Sequence, residues 1–275
     1  MLNAGFVLLP LYIWPTANSW QPLFAAAKAY PDVQFQVIVN PNDGPGTGCP
    51  SSDYATAMAT LNSHPNIQAL GYIHTANSWD CGDSGSDICP CTRPTSDLEA
   101  EISAYQAWNV PGKCSNADIH LTGIFYDEAP SAASNADYMS HLTTFAGETL
   151  TRGNTSLFNS GQSVDSIFYN IADYINTFES SGSAYTSQTN QGKNVGMINL
   201  QGTKKTQTTM IINSFGSGLT GMQNAVAQAL GQQKVAGLYV TDQPSYEAFP
   251  SEWLGFVELV SQTMGGLGGG QKLKC

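Results

Sequence analysis

The amino-acid sequence predicts an α/β protein, folded as a single-domain (β/α)8 barrel (TIM barrel). Eight apolar, strand-like segments alternate with segments of helical spacing, the order typical of parallel strands joined by helices. The length of 275 residues is also that of one α/β barrel. An open doubly wound sheet is the alternative, but no Gly-x-Gly-x-x-Gly or Walker loop opens a helix after a strand. We therefore favour the closed barrel.

The first half of the chain contains four predicted strands. Residues 4–12 are almost continuously apolar, which is typical of a strand covered on both faces, and Trp14-Pro15 ends this strand. The next three strands are predicted at 35–39, 67–75 and 121–128. Helices with apolar residues at helical spacing are predicted at 20–30, 53–61, 97–108 and 136–150.

The second half is predicted to complete the barrel. Its strands are placed at 156–159, 172–179, 195–200 and 237–242, and its helices at 219–230 and 252–264. Residues 166–169 are also apolar enough for the sixth strand, but 172–179 fit the sequence of strand ends better. The barrel domain is therefore 1–264, and a glycine-rich tail, 265–275, is expected to be flexible except where Cys275 ties it. Because strand-like sequence follows Met1 directly, we expect a mature domain given a new start codon.

Composition and charge indicate which binding partners and which compartment suit the protein. The formal net charge is -11 and the pI is about 4.5, so a polyanion such as nucleic acid would be repelled and a neutral or cationic partner fits better. Only 11% of residues are charged, and a polar surface made largely of Ser, Thr, Asn, Gln and Gly suits a secreted protein. No apolar run approaches the about 20 residues that span a bilayer. We expect a monomer with no membrane association and no cofactor.

The cysteines favour the same compartment. They are even in number and most lie in loop-like sequence: Cys49, Cys81, Cys89, Cys91, Cys114 and Cys275. Three disulfides are predicted, with a pairing that the sequence leaves open. A zinc site using Cys81, Cys89 and Cys91 is the alternative, but no fourth ligand follows at structural-zinc spacing, so no metal is expected. A glycosylation sequon begins at Asn154 and is usable if the chain is secreted.

Polar and aromatic residues follow nearly every predicted strand. In a (β/α)8 barrel the active site is built at the carboxyl ends of the strands, so these residues are the candidates for binding and catalysis. In chain order they are Tyr12, Trp14, Asn40, His74, Asp127, Glu128, Asn159, Glu179, Gln201 and Asp242. The starts of the strands show no such set.

Asp127, Glu128 and Glu179 are the candidate catalytic residues. On a regular strand, the adjacent Asp127 and Glu128 point to opposite faces, one toward a cavity and the other bracing it; a strand that stops at a solvated turn is the alternative. Asp127 and Glu179 end alternate strands, from which inward-leaning carboxyls can approach within about 5 to 9 Å, the range of glycosidases. One carboxyl would then protonate the leaving oxygen, and the other would be ionised to attack the anomeric carbon or to activate water.

The other candidates each have a structural alternative. Tyr12, Trp14, Tyr72 and Tyr126 offer flat apolar faces to sugar rings, or are simply core or rim residues. His74 either binds substrate or is a structural histidine.

Asp242 either contacts a ligand or caps the turn before Pro244. His64, His120 and His141 are expected at the surface or in capping positions. The sequence has no Gly-x-Ser-x-Gly elbow, no cysteine that looks like a free nucleophile and no histidine pair at metalloprotease spacing. Acyl-transfer and metalloprotease chemistry are therefore poorly supported.

Several segments, taken together and in order, resemble the spherulin-4-like proteins of glycoside hydrolase family 135. The resemblance covers nearly the whole chain. The matching segments are VLLPLYIWP at 7–15, FQVIVNPNDGPG at 35–46, LGYIHT at 70–75, EISAYQAW at 101–108, GIFYDE at 123–128, ADYINTFE at 172–179 and GLYVTD at 237–242. A set of motifs in one order is far more specific than any motif alone.

The resemblance implies a (β/α)8 barrel and a secreted, endo-acting hydrolase. Its substrate would be α-1,4-linked N-acetylgalactosamine in galactosaminogalactan, a partly deacetylated, cationic polymer of fungal walls and biofilms. The family's essential acidic positions fall on Asp127, Glu128 and Glu179. By analogy, Asp127 is the nucleophile or charge stabiliser, Glu179 the general acid/base, and Glu128 the neighbour that tunes or orients them.

Two departures from the family pattern put the exact substrate in question. Asn159-Ser160-Gly161 stands where the family has Asn-Pro-Gly, and a cysteine-rich insertion at 81–91 lies on a βα loop beside the expected cleft. A second hypothesis is a non-catalytic carbohydrate-binding or spore-coat protein on the same barrel. Three filled acidic positions favour the enzyme.

Overall fold

Eight short apolar strands close into a parallel barrel, which confirms the predicted (β/α)8 fold. The computed structural model describes residues 5–16, 18–75, 92–190 and 202–268. Neighbouring strands pair in sequence order, and β1 pairs with β8 to close the sheet. The strands are β1 Phe6–Leu11, β2 Gln34–Val39, β3 Ile67–His74, β4 Gly123–Asp127, β5 Thr155–Asn159, β6 Tyr174–Ser181, β7 Thr208–Asn213 and β8 Gly237–Val240.

Helices follow the strands and cover the outside of the barrel. They are α1 Gln21–Ala29, α2 Ser52–Asn62, α3 Thr95–Asn109, α4 Ala136–Thr149, α5 Gly182–Asn190, α6 Gly218–Val226 and α7 Trp253–Gly268. The closing helix thus extends past the predicted end at residue 264. Residues 166–169, the alternative for the sixth strand, lie in a short 3-10 helix, Ser166–Asn170, so the choice of 172–179 was correct.

The predicted seventh strand is wrong. Residues 195–200 lie outside the described residues, whereas β7 is Thr208–Asn213 and pairs with β6 on one side and β8 on the other. Both segments are apolar, but Thr208–Asn213 is the β-branched run that the barrel buries almost completely. Gln201, taken as the residue after that strand, also lies outside the described residues, and β7 ends instead at Asn213.

Strand side chains alternate between the barrel interior and the layer beneath the helices. Leu8, Val37 and Phe125 have no or almost no exposed surface, and each buried side chain of this size contributes about 1.5 to 3 kcal/mol. Packing is closest where β4 begins, because a Cβ on Gly123 would lie 2.0 Å from the carbonyl oxygen of Thr155. Only glycine fits at that position.

One disulfide is described, between Cys49 and Cys114. It links the connection between β2 and α2 to the segment that precedes β4, across 65 residues of chain. Closing a loop of that length is worth about 4 kcal/mol in the chain-entropy account. Cys81, Cys89, Cys91 and Cys275 lie outside the described residues. Across the described part of the chain, no helix has both the length and the apolar character to cross a membrane.

Candidate active site

Two carboxyl groups meet at the carboxyl ends of β4 and β6, with an amide between them. The Nδ2 of Asn159, the last residue of β5, donates to Oδ1 of Asp127 at 2.7 Å and to Oε2 of Glu179 at 2.6 Å. Because both oxygens bond to one nitrogen, they lie at most about 5.3 Å apart. The structure therefore brings together three residues that the sequence singled out separately.

A β-bulge in β6 turns Glu179 toward the cleft. Asn176 pairs with Thr209, but Phe178 already pairs with Met210, so β6 contains one extra residue at this point. Residues three apart on a regular strand face opposite sides of a sheet, and the extra residue puts Asn176 and Glu179 on the same side. Phe178 faces outward instead, where its ring packs against Tyr185 of α5 at 6.0 Å between centroids.

Gly161, in the loop after β5, holds this bulge. Its N–H donates to the carbonyl oxygen of Asn176, and its carbonyl oxygen accepts from the N–H of Glu179, both at 3.1 Å. Gly161 has a φ of 61°, in the left-handed region that favours glycine, and a Cβ there would lie 3.4 Å from the Cβ of Glu179. The loop in which this sequence departs from the family pattern thus fixes the backbone that carries Glu179.

Two tyrosines complete the hydrogen bonding of the carboxyl pair. The hydroxyl of Tyr72, on β3, donates to Oδ2 of Asp127 at 2.8 Å, and that of Tyr246 donates to Oε1 of Glu179 at 2.5 Å. The ring of Tyr12 packs edge-on against Tyr72 and Tyr246, at 5.6 and 5.7 Å between centroids. Tyr12 thus lies between the two hydroxyl donors, and its contact with substrate stays a prediction.

Sequence reasoning missed Tyr246 and its partner Asn213. Tyr246 lies in the loop after β8, and its hydroxyl also hydrogen bonds with the side chain of Asn213. Asn213 ends β7, so the misplaced seventh strand concealed it. A correct seventh strand would have added Asn213 to the strand-end residues, whereas nothing in the sequence around Tyr246 distinguishes it from other loop tyrosines.

The surroundings of the two carboxyl groups act differently on their pKa values. Burial raises the pKa of Asp127, but hydrogen bonds from Tyr72 and Asn159 and the nearby His74 oppose the rise. Burial also raises the pKa of Glu179, the hydrogen bonds from Tyr246 and Asn159 oppose this rise, and the charge of Asp127 raises the pKa further. The charge of Asp127 thus favours the protonated form of Glu179, whereas the nearby His74 favours the ionised form of Asp127.

The tyrosines remain neutral donors. Burial, followed by the charge of Asp127, raises the pKa of Tyr72 well above its usual value, and burial with the charge of Glu179 does the same for Tyr246. Neither hydroxyl therefore ionises in the ordinary pH range. Each keeps its proton directed at a carboxyl group.

Glu128 faces away from Asp127 and lies at the rim. It has a φ of 48°, unusual for a residue other than glycine, and its carboxylate lies 3.0 Å from Nε2 of His74. The carbonyl oxygen of His74 accepts from the guanidinium of Arg93 at 3.0 Å. Asp127 thus lies in the cleft and Glu128 beside it, but the positive φ of Glu128, just past the end of β4, and not strand alternation sets its direction.

Asp43 is another acidic neighbour that the sequence did not single out. Its carboxylate lies close enough to the hydroxyl of Tyr72, which donates to Asp127, to raise the pKa of that hydroxyl. Its backbone has a φ of 51°, and Gly44 and Gly46, in the same loop, also have positive φ values. The Asn-Asp-Gly sequence signals a turn but not the direction in which the carboxylate points.

The structure does not bring every predicted residue to the carboxyl pair. Tyr126 is completely buried between the barrel and α4, where its hydroxyl donates to the carbonyl oxygen of Leu142. It has no surface to offer a sugar, so its prediction as a substrate contact is corrected. Because Tyr126 follows an inward-facing residue on β4, strand alternation points its side chain outward.

Asp242 and Asn40 shape loops. The carboxylate of Asp242 accepts from the backbone N–H of Ser251 at 3.0 Å and from its hydroxyl at 2.6 Å, just before α7, so it ties the loop after β8 to the segment before α7 and not the turn before Pro244. Oδ1 of Asn40 accepts from the N–H of Gly44 at 3.0 Å. Trp14 is about half exposed and packs edge-on against Tyr54, so it is an open aromatic surface on the β1 loop.

The remaining histidines have local partners. His64 stacks on Phe24, His120 pairs with Asp118, and His141 pairs with Glu99. No group of three or more His, Cys, Asp or Glu side chains that could hold a metal ion occurs among the described residues.

Comparison with known proteins places the chain by sequence. The model of the Spherulin4 family, described as spherulation-specific family 4, matches residues 6–260. Spherulin-4 of Physarum polycephalum is 32% identical over 181 residues, which are 64% of this chain and 45% of that protein. The chain therefore spans about half the length of this curated relative.

Solved structures agree with the fold. Sph3 of Aspergillus clavatus, determined in complex with GalNAc, is 26% identical with a TM-score of 0.81, covering 94% of this chain and 98% of its own. A chitinase from Bacteroides thetaiotaomicron is 11% identical with a TM-score of 0.56 over 100% of both chains. At that identity the second match supports the barrel fold alone.

Proposed function

The chain belongs to spherulation-specific family 4, and from this membership we propose that it is a secreted, endo-acting glycoside hydrolase of galactosamine-containing polysaccharide. One observation supports the proposal above all: Asp127 and Glu179 both accept a hydrogen bond from the same nitrogen of Asn159. A glycosidase needs two carboxyls at such a short separation. In a protein that only binds sugar, the repulsion between them would serve no purpose.

The two acids have different roles in the proposed reaction. Glu179, whose pKa is raised by burial and by the charge of Asp127, holds the proton that the leaving glycosidic oxygen requires. Asp127, ionised and held by Tyr72 and Asn159, attacks the anomeric carbon. Glu179 then takes a proton from water, and that water releases the sugar from Asp127.

The separation of the acids favours retention of configuration. Retaining enzymes place their carboxyls about 5 to 5.5 Å apart, and inverting enzymes leave about 6.5 to 9.5 Å for a water molecule. The oxygens of Asp127 and Glu179 that accept from Asn159 lie at most about 5.3 Å apart, which is closer to the retaining range. We therefore assign a double displacement through a covalent intermediate on Asp127.

The substrate assignment depends on the relatives and on the lining of the cleft. Sph3, with 26% identity over nearly the whole chain, was determined with GalNAc, which supports α-1,4-linked N-acetylgalactosamine in galactosaminogalactan as the substrate. The half-exposed Trp14 offers a face for a sugar ring at the rim, and the net charge of -11 suits a partly cationic polymer. The Cys49–Cys114 disulfide supports secretion, and we propose a monomer.

Release of soluble oligosaccharides from purified galactosaminogalactan tests this function. The wild type should release them, and Glu179→Gln should not. Glu258→Gln, the same change on the exposed face of α7, is the matched control and should behave as the wild type. Chitin, β-glucan and α-glucan serve as control polymers.

Each outcome of the release experiment favours a different function or substrate. Release from galactosaminogalactan alone supports the enzyme and its substrate together. Binding without release would instead favour a non-catalytic carbohydrate-binding protein. Release from a control polymer would keep the two-carboxyl mechanism and reject the substrate.

A further inference from the structure

The amide that bridges the two acids is itself held by a second amide inside the barrel. Oδ1 of Asn159 accepts from Nδ2 of Asn176 at 2.7 Å, and Oδ1 of Asn176 accepts from the hydroxyl of Thr209 at 3.4 Å. Asn176 and Thr209 are both completely buried. A line of hydrogen bonds therefore runs from β7 through β6 and β5 to the carboxyl pair.

The direction of these hydrogen bonds is determined by the groups at their upper end. The ionised carboxylate of Asp127 only accepts, so the nitrogen of Asn159, and not its oxygen, must face it, and the same nitrogen donates to Glu179. The oxygen of Asn159 then needs a donor from below, which Nδ2 of Asn176 supplies. If the Asn159 amide turned over, its oxygen would face the carboxylates and its nitrogen would face the nitrogen of Asn176. Both contacts would be unfavourable.

We propose that Asn176, supported by Thr209, is a positioning residue that holds the Asn159 amide between the two acids, so that each carboxyl keeps its own hydrogen-bond donor. Two carboxylates at this range repel each other when both are ionised, so one of them binds a proton more readily. With the Asn159 nitrogen between them, each carboxyl receives its own hydrogen bond. The proton can then belong to Glu179 while Asp127 stays ionised. The catalytic part of this inference rests on the proposed hydrolase function.

Other ionisable groups surround the pair, and an experiment on Asn176 leaves them in place. They are Tyr12 on the β1 side, Asp43 after β2, Tyr72 and His74 on β3, Glu128 at the rim after β4, and Tyr246 after β8. The side chain of Asn176 reaches the acids through Asn159, and its backbone bond to Gly161 is kept in the variants. A change of pH profile in an Asn176 variant therefore reports the amide bridge.

Two substitutions at Asn176 test the proposal through kcat and its pH profile. Asn176→Leu has a similar shape but no donor at any pH, and we expect kcat to fall about 10- to 100-fold at every pH with little change in KM. In Asn176→Asp the introduced carboxyl donates to Asn159 only while protonated, so activity should approach that of the wild type at acidic pH and fall as this group ionises.

Asn109→Asp is the matched control. Asn109 is a buried amide of α3 whose Oδ1 accepts from the N–H of Leu121 at 2.8 Å, a bond that a carboxylate keeps. Its profile should be that of the wild type. A wild-type kcat and profile in Asn176→Leu would overturn the proposal. If circular dichroism shows that Asn176→Leu is unfolded, Thr209→Val replaces it, and an unchanged profile there overturns the proposal in the same way.

A measurement without substrate separates this inference from the proposed function. The side-chain amide protons of Asn159 can be followed by 15N NMR and assigned by their loss in Asn159→Asp. Their shifts should respond to pH as the carboxyls titrate in the wild type and in Asn109→Asp, and lose that response in Asn176→Leu. An identical response in Asn176→Leu overturns the role of Asn176. A normal response in a protein that hydrolyses no glycan would reject the hydrolase but keep Asn176 as the residue that orients Asn159.

Discussion

β4 and β6 each deliver one carboxyl group to the cleft, but they do so in different ways. β4 is a regular strand whose alternation turns Asp127 inward and Tyr126 outward. β6 needs an extra residue between Asn176 and Phe178 before Glu179 faces inward. The direction of a carboxyl placed by strand alternation depends only on its own strand. The direction of a carboxyl placed by a bulge depends on the residues that hold the bulge.

The two acids are also held in place by different parts of the structure. Asp127 is held mainly by Tyr72 of the adjacent β3, a direct neighbour in the sheet. Glu179 is held through its backbone by Gly161 and through its side chain by Tyr246, both in loops. We therefore expect the β6 carboxyl to be the more sensitive of the two to changes in loops.

The largest effect should come from replacing either acid. Asp127→Asn and Glu179→Gln should each lower kcat by about 10³-fold or more, because each acid has a role that the other cannot fill. Steady-state hydrolysis of galactosaminogalactan measures the loss, and Asp137→Asn on the exposed face of α4 is the control. Activity within tenfold of the wild type in either variant would contradict the two-carboxyl mechanism.

Asp127→Asn should also change how the stability of the protein depends on pH. Burial raises the folded-state pKa of Asp127 above its ordinary value, so the ionised form weakens folding at pH values above that pKa. Asp127→Asn should therefore have a higher melting temperature at pH 7, and this gain should disappear below the ordinary Asp pKa of about 3.9. Thermal unfolding across pH measures it, and a lower melting temperature at pH 7 would contradict the assignment.

A change at Gly161 should affect β6 more than β4. In Gly161→Ala the left-handed backbone becomes strained by about 1 kcal/mol, and the shifted bulge should lower kcat about 10- to 100-fold. Gly218 has the same φ of 61° with nothing within 4 Å of an added Cβ, so Gly218→Ala should cost similar stability and keep its activity. Equal kcat values in the two variants would show that the bulge does not position Glu179.

Removing each of the two hydroxyl donors should shift a different limb of the pH profile of kcat/KM. Each bond stabilises an ionised carboxylate, so losing it raises the pKa of its acid. Tyr72→Phe should move the acidic limb, which reports Asp127, upward by about one pH unit, and Tyr246→Phe should move the alkaline limb, which reports Glu179, by a similar amount. Profiles of kcat/KM for both, with Tyr30→Phe as control, check this. A shift of the same limb in both variants would contradict the assigned roles.

The smallest effect is expected at Glu128, the exposed neighbour of Asp127. Its contact with His74 lies at the rim, where ion pairs contribute about 0 to 1 kcal/mol. Glu128→Gln should lower kcat only a few-fold, against the about 10³-fold loss in Asp127→Asn. Hydrolysis rates of the two variants side by side measure this. Equal losses would place Glu128 in the reaction itself.

Much of this organisation could be predicted from the sequence because it depends on local pattern. The apolar strands, the helical spacing and the acids after the fourth and sixth strands identified the barrel and the edge at which Asp127, Asn159 and Glu179 meet. The seventh strand was misplaced because two apolar segments compete for it and only pairing with β6 and β8 decides between them. Asn213 was missed with it.

By itself, the sequence determined the fold class, the family resemblance and the strand ends from which the candidate site is built. The tertiary structure alone decided that Asn159 bridges two acids, that Gly161 and a bulge aim Glu179, and that Tyr246 reaches it from a distant loop. The physical reason is the range of the interactions. Periodicity and propensity act between residues near in the chain, whereas a hydrogen bond between side chains depends on where closure of the barrel places them.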